Sequence, residues 1–286
     1  MRIKDDYLEK VLAGQETLLF DGAMGTMLQR AGVDTSHAPE LLCISNPQVV
    51  TDIHRAYVEA GSQAVTTNTF GANRFNLGDA ETIAQVFAAA VKCARDAGAH
   101  YVAADVGPLG QFLDPYGDLE YEEAVELFAE QGRAIAATDA DLVIVETMMD
   151  VQEALAAIEG IRATCDLPVF ATMTFADNGR TMMGATPADE VEELEDAGVD
   201  ALGVNCSLGP QALRPIVSEL LVAATVPVIM QANAGLPEMV DGKPVYTMTP
   251  EAYAAEVAPS VTEGVRILGA CCGTTPDFIA QLAKLL

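Results

Sequence analysis

The sequence predicts an α/β fold, a (β/α)8 barrel of the TIM type, built as a single domain over residues 1–286. Three observations lead there. Short apolar runs recur along the chain, helical stretches with legible caps lie between them, and the runs end one after another in polar residues. With 286 residues, 50% of them hydrophobic, the chain has the length and apolar content for one large barrel core.

The runs are 17-TLLFDG-22, 64-AVTTNTF-70, 101-YVAADVGP-108, 142-LVIVETM-148, 168-PVFATMTF-175, 201-ALGVNCS-207, 227-PVIMQANAG-235 and 266-RILGACCG-273. Each is too short for a globular helix and too continuously apolar for a half-exposed strand, as expected of strands buried on both faces in a parallel sheet. Successive runs start 26 to 47 residues apart, the spacing of a strand–helix repeat. Asn46-Pro47, Thr186-Pro187, Thr249-Pro250 and Thr275-Pro276 each set a capping side chain before a proline at the first helical position. Gly61, Gly98 and Gly198 follow helical stretches, where a left-handed C-terminal residue is expected. A doubly wound open sheet is the competing architecture. It carries a G-x-G-x-x-G turn after its first strand, and here Gly22-Ala23-Met24-Gly25 stands instead. Residues 236–248, with two prolines and a glycine, are expected to form the longest irregular connection, on the side where barrel active sites lie.

Fifteen basic against forty-two acidic residues give a net charge of −27, which repels nucleic acid and anionic membranes. It reads as a solubilising surface of the kind a salt-adapted host favours, or as a docking face for a basic partner. The N-terminal MRIKDDYLEKVLAG has no apolar signal core, and no stretch approaches the ~20 apolar residues of a membrane helix, so a cytoplasmic location is expected. Thiols stay reduced there. The six cysteines therefore do not imply disulfides, and the adjacent Cys271-Cys272 turns attention to metal binding.

The C-terminal ends of barrel strands form the active face. Strand one ends in Asp21-Gly22, strand two in Thr67-Asn68-Thr69, strand three in Asp105 and strand four in Glu146-Thr147. Strand five carries Thr172 and Thr174, strand six ends in Asn205-Cys206, strand seven in Gln231-Ala232-Asn233 and strand eight in Cys271-Cys272. Such ends imply a convergent polar mouth, because buried polar groups are costly when unpaired. Strands six and eight flank strand seven, so Cys206, Cys271 and Cys272 can meet across it. Three thiolates leave a tetrahedral zinc one open position, as a catalytic site requires, and soft sulfur favours zinc over magnesium or calcium. Neighbours on a regular strand face opposite ways, so the strand must break at the pair, with Gly269 and Gly273 supplying backbone freedom. On spacing alone a zinc site and three unrelated buried thiols remain open. Cys43, Cys93 and Cys165 read as structural, and His37, His54 and His100 as uninvolved.

Seven motifs then resemble one family in order along nearly the whole chain. LFDGAMGTMLQ at 19–29, TNTFGAN at 67–73, DVGPLG at 105–110, VETMMD at 145–150, GVNCS at 203–207, ANAGLP at 232–237 and GACCGT at 269–274 are similar to the homocysteine S-methyltransferase family, whose fold is a (β/α)8 barrel. Within it, DGAMGTMLQ is most similar to the homocysteine-binding module of cobalamin-dependent methionine synthase. The resemblance implies that Cys206, Cys271 and Cys272 ligate zinc and that homocysteine sulfur takes the open position. It implies that Asp21, Gly22 and Glu146 contact the amino-acid end of homocysteine, with backbone N–H groups near Gly22 and Ala23 receiving its carboxylate. Asn205, Asn233 and Thr69 join them as mouth residues of unassigned role.

A free thiol has a pKa of ~8.5, and metal ligation deprotonates it, so no histidine base is needed for methylation to methionine. No catalytic residue is expected beyond the zinc site. The donor has two readings: methylcobalamin from a separate corrinoid protein, or a free small donor such as S-methylmethionine. A third reading is a non-catalytic zinc- or thiol-binding barrel within a larger complex.

Overall fold

The computed structural model describes residues 1–240 and 243–286. All eight apolar runs form strands: Leu18–Leu19, Ala64–Thr66, Tyr101–Val106, Leu142–Met148, Val169–Met173, Ala201–Asn205, Val228–Ala232 and Ile267–Ala270. These are the barrel strands one to eight. They pair in parallel in the order one, eight, seven, six, five, four, three, two. The barrel is nearly closed. Across the seam between strands one and two, Gln63 N–H donates to Leu19 O at 2.8 Å. Leu19 N–H donates to Gln63 Oε1 at 3.0 Å, and Thr66 N–H to Asp21 Oδ2 at 3.0 Å.

Side chains alternate between two cores, as the period of two along a strand requires. Phe20, Tyr101, Ala103, Leu142, Ile144, Phe170 and Ile229 fill the barrel interior. Their neighbours, such as Val102, Val143, Val145 and Leu202, pack outward against the helices. The lower end of the interior is stoppered by helix Asp6–Leu12, whose Leu8 and Val11 join the inner core. Asp5 caps that helix by accepting from Leu8 N–H at 3.0 Å. The charged N-terminus thus has a structural task that its composition did not disclose.

All four expected N-cap positions precede a proline at a helix start, but two make the side-chain bond. Thr186 forms a capping box with Asp189, and Thr249 accepts from Ala252 N–H. Asn46 and Thr275 cap without a side-chain bond. Gly61, Gly98 and Gly198 all take positive φ after helices. The connection over 236–248 is not irregular throughout: Glu238–Val240 and Lys243–Val245 pair antiparallel, and residues 241 and 242 within that stretch lie outside the described residues. No helix among the described residues is long and apolar enough to cross a membrane.

Candidate metal centre

The three cysteines meet because two strands end differently. Strand six stops at Asn205, and Cys206 and Ser207 follow with φ of 60° and 58°, in the left-handed region. Side chains rarely adopt that conformation, and it concentrates at functional sites. Cys206 N–H still donates to Gln231 O at 3.0 Å, so the ladder holds up to the residue that leaves it. Strand eight stops at Ala270. Cys271 N–H donates to Ala232 O at 2.8 Å, and the chain then turns so that Cys272 O accepts from Ala234 N–H at 2.9 Å. Gly273 takes φ 83°, and its N–H donates to Thr26 Oγ1 at 3.0 Å.

Gly273 therefore supplies the backbone freedom expected of it. Gly269 does not: it lies within strand eight, where a Cβ would meet Gln231 Nε2 and Phe20 Cβ at 2.9 Å. Its contribution is space inside the barrel.

The sulfur atoms of Cys206, Cys271 and Cys272 lie within 4.8 Å of one another, with Cys206 Sγ 3.7 Å from Cys272 Sγ. Zinc–sulfur bonds of about 2.3 Å in a tetrahedron separate sulfurs by about 3.8 Å. The donor set fits zinc in spacing and in softness. Hydrogen bonds from the Cys271 and Cys272 thiols pull Cys206 down to about 3, and an Asn233 contact adds to this. The same bonding pushes Cys271 well up and carries Cys272 up to about 12.

A cavity of about 300 Å³ opens beside the sulfurs, lined by Asp21, Glu40, Asp105, Glu146, Asn205 and the cysteines among others. Burial raises the Asp21 carboxyl to about 7, against the hydrogen bond it accepts from Thr66 N–H. Glu146 is half-buried; burial, then the Cys206 sulfur and Asp21, push it up to about 8. Gly22 packs so tightly that a Cβ would meet Thr274 Oγ1 at 2.7 Å. Ala23 N–H donates to that same hydroxyl at 3.2 Å, so it is already engaged.

Asn205 is fully buried. Its Oδ1 accepts from Thr147 N–H and from Thr172 Oγ1, both at 2.9 Å, and its amide NH2 donates to Thr147 Oγ1 at 2.8 Å. Thr147 has φ 63°, so this amide braces a strained residue directly after Glu146. Asn233 lies against Cys206, and its Oδ1 has no partner among the described residues.

Two acids of the cavity have no assigned role in the sequence-based site: Glu40, which the sequence leaves unmarked, and Asp105, which it places at the mouth only as the end of strand three. Glu40 arrives from the connection after strand one and accepts from Gly71 N–H at 2.8 Å; no periodicity marks it. Asp105 had a signal, because Tyr101, Ala103 and Asp105 share one face of strand three. Cys43, Cys93 and Cys165 are buried and lie outside the trio. His54 is buried with both ring nitrogens unpartnered among the described residues, and burial lowers it to about 4, so it is neutral.

The homocysteine S-methyltransferase family model matches residues 18–286. Methionine synthases of Mycobacterium tuberculosis and Mycobacterium leprae are each 34% identical over 94% and 97% of this chain. The chain spans about a quarter of the length of these relatives (24% and 25%). Among solved structures, the oxidised form of the homocysteine methyltransferase MmuM from Escherichia coli superposes with a TM-score of 0.82 at 24% identity, covering 98% of this chain and 99% of that one. Its metallated form gives a TM-score of 0.81.

Proposed function

Because the chain belongs to the homocysteine S-methyltransferase family, we propose that it is a zinc-dependent enzyme that methylates the homocysteine thiol to methionine, using methylcobalamin presented by a separate corrinoid protein. The observation that supports this most is the placing of three sulfur donors beside a cavity walled by carboxylates. Cys206, Cys271 and Cys272 hold the zinc. When bound, zinc supplies the Lewis acidity that keeps a fourth sulfur as thiolate at neutral pH.

The remaining work falls to the chain's own residues. Asp21 and Glu146 receive the ammonium group of homocysteine. Ala23 N–H is taken by Thr274, which leaves the Gly22 N–H to meet the substrate carboxylate. Asn205 keeps Thr147 in place and so fixes the carboxyl before it. Asn233 supports the Cys206 sulfur. None of the described lining residues is a histidine, lysine or arginine.

The test is a transfer assay with purified protein, zinc and homocysteine, offering methylcobalamin, free or on a corrinoid protein, and S-methylmethionine. Methionine formed from methylcobalamin is the expected result. Transfer from S-methylmethionine alone would make the donor a free small molecule, and zinc binding without transfer from any donor would make the barrel a non-catalytic binding module.

A pH dependence follows from Asp21. Its carboxyl titrates at about 7 in the unliganded cavity, and an ammonium ion beside it favours the ionised form. Amino-acid binding is expected to release a proton, and affinity to fall by up to about tenfold per pH unit below about 7. Methionine is the cleaner probe, since it has the ammonium and carboxylate but no thiol. Calorimetry in two buffers of different ionisation heat measures the released proton; affinity unchanged from about pH 8 to about pH 6 would contradict the assignment.

A further inference from the structure

We propose that Asp105 is a further carboxylate for the substrate's ammonium group, and that it makes the cavity selective for an amino acid over a thiol lacking the amine. This rests on the homocysteine reading above and adds a residue to it.

Asp105 is held by its backbone and left free at its carboxyl. Its N–H donates to Thr67 Oγ1 at 3.0 Å, and its carbonyl accepts from Thr69 Oγ1 at 2.8 Å. The two hydroxyls are themselves 2.7 Å apart. The residue is therefore clamped between strands two and three. Its side chain is 4% exposed and lines the cavity, while Oδ1 is buried with no hydrogen-bond partner among the described residues. A buried polar group without a partner costs free energy, and a buried charge costs more. Two of the neighbouring acids are better provided for: Asp21 accepts from Thr66 N–H and Glu40 from Gly71 N–H.

No described lining residue brings a compensating cation. Burial pushes the Asp105 carboxyl well up, and Glu146, Glu40 and Asp21 push it further in the same direction. The missing element is a small cation with several N–H donors. An α-ammonium group has that form, whereas zinc has its own sulfur ligands. The Thr67–Thr69 clamp gives the carboxyl a fixed origin, which is what a positioning group needs.

Asp105→Asn keeps the shape and removes the charge. Calorimetry on the zinc-loaded protein is the test, with homocysteine and with 4-mercaptobutanoate, which keeps the thiol and carboxylate and lacks the amine. Homocysteine affinity is expected to fall about ten- to a hundredfold in D105N, with 4-mercaptobutanoate affinity unchanged. The unliganded variant is expected to melt at a higher temperature than the wild type at neutral pH, because an unpaired buried acid has been removed. Equal homocysteine affinity in D105N and wild type overturns the assignment, as does an equal loss for both ligands. Absence of homocysteine binding by the wild type overturns the homocysteine reading itself and this assignment with it.

Discussion

Replacing Cys206 by alanine is expected to strip zinc from the protein and lower methyl transfer to homocysteine by at least about a thousandfold. The Cys206 sulfur stands 3.7 Å from Cys272, and hydrogen bonds from the two neighbouring thiols lower its pKa. Without it, two sulfurs remain, and two-sulfur sites hold the metal poorly. The fold should survive, because Cys206 is half-buried and alanine meets the same left-handed conformation at φ 60° that cysteine already tolerates. Elemental analysis of the purified variant and a circular dichroism spectrum are the checks. A folded C206A protein that still carries a full equivalent of zinc would count against the site.

The second large effect is at Asn205. Its replacement by alanine is expected to cost about 2–4 kcal/mol of stability and to lower kcat/KM about ten- to a hundredfold. Three hydrogen bonds are lost, leaving the half-buried Thr147 N–H and the buried Thr172 hydroxyl without their acceptor. Thr147 is β-branched and holds φ 63°, a conformation that persists only where surroundings enforce it. Once released, it shifts Glu146, the adjacent residue. Urea unfolding measures the first effect and steady-state kinetics the second. Full stability in N205A would show that the brace is not needed.

These two residues mark what the sequence discloses and what it hides. Cys206 is visible as cysteine at the end of a buried run, and its partners are visible because strands six and eight flank strand seven. Chain order and barrel closure are enough for that. The left-handed turns at Cys206, Ser207 and Thr147 are not visible, since none is a glycine and no local preference predicts them. The partners of Asn205 are likewise hidden: it reads as one more polar strand end, and its bonds to Thr147 and Thr172 depend on register between strands four, five and six. Gly269 is misread for a related reason. Glycine in a strand signals either flexibility or close approach, and only the neighbours Gln231 and Phe20 decide which. Asp105 is legible as the polar end of strand three, though not its free carboxyl, while Glu40 comes from a connection without periodicity. The barrel itself is the most legible feature, because eight buried strands need eight apolar runs.

The acidic surface, with a net charge of −27, bears on the donor. A partner that delivers a methyl group to the mouth must approach that field, so its docking face is expected to be basic and its association to weaken as salt rises.

The most direct measurement is X-ray absorption at the zinc edge of the purified protein, with and without homocysteine. Zinc bound by the sulfurs of Cys206, Cys271 and Cys272 should show three sulfur neighbours at about 2.3 Å alone, and a fourth when homocysteine is added. A sulfur count that does not change on adding homocysteine, or zinc bound without the three cysteines, would contradict the account.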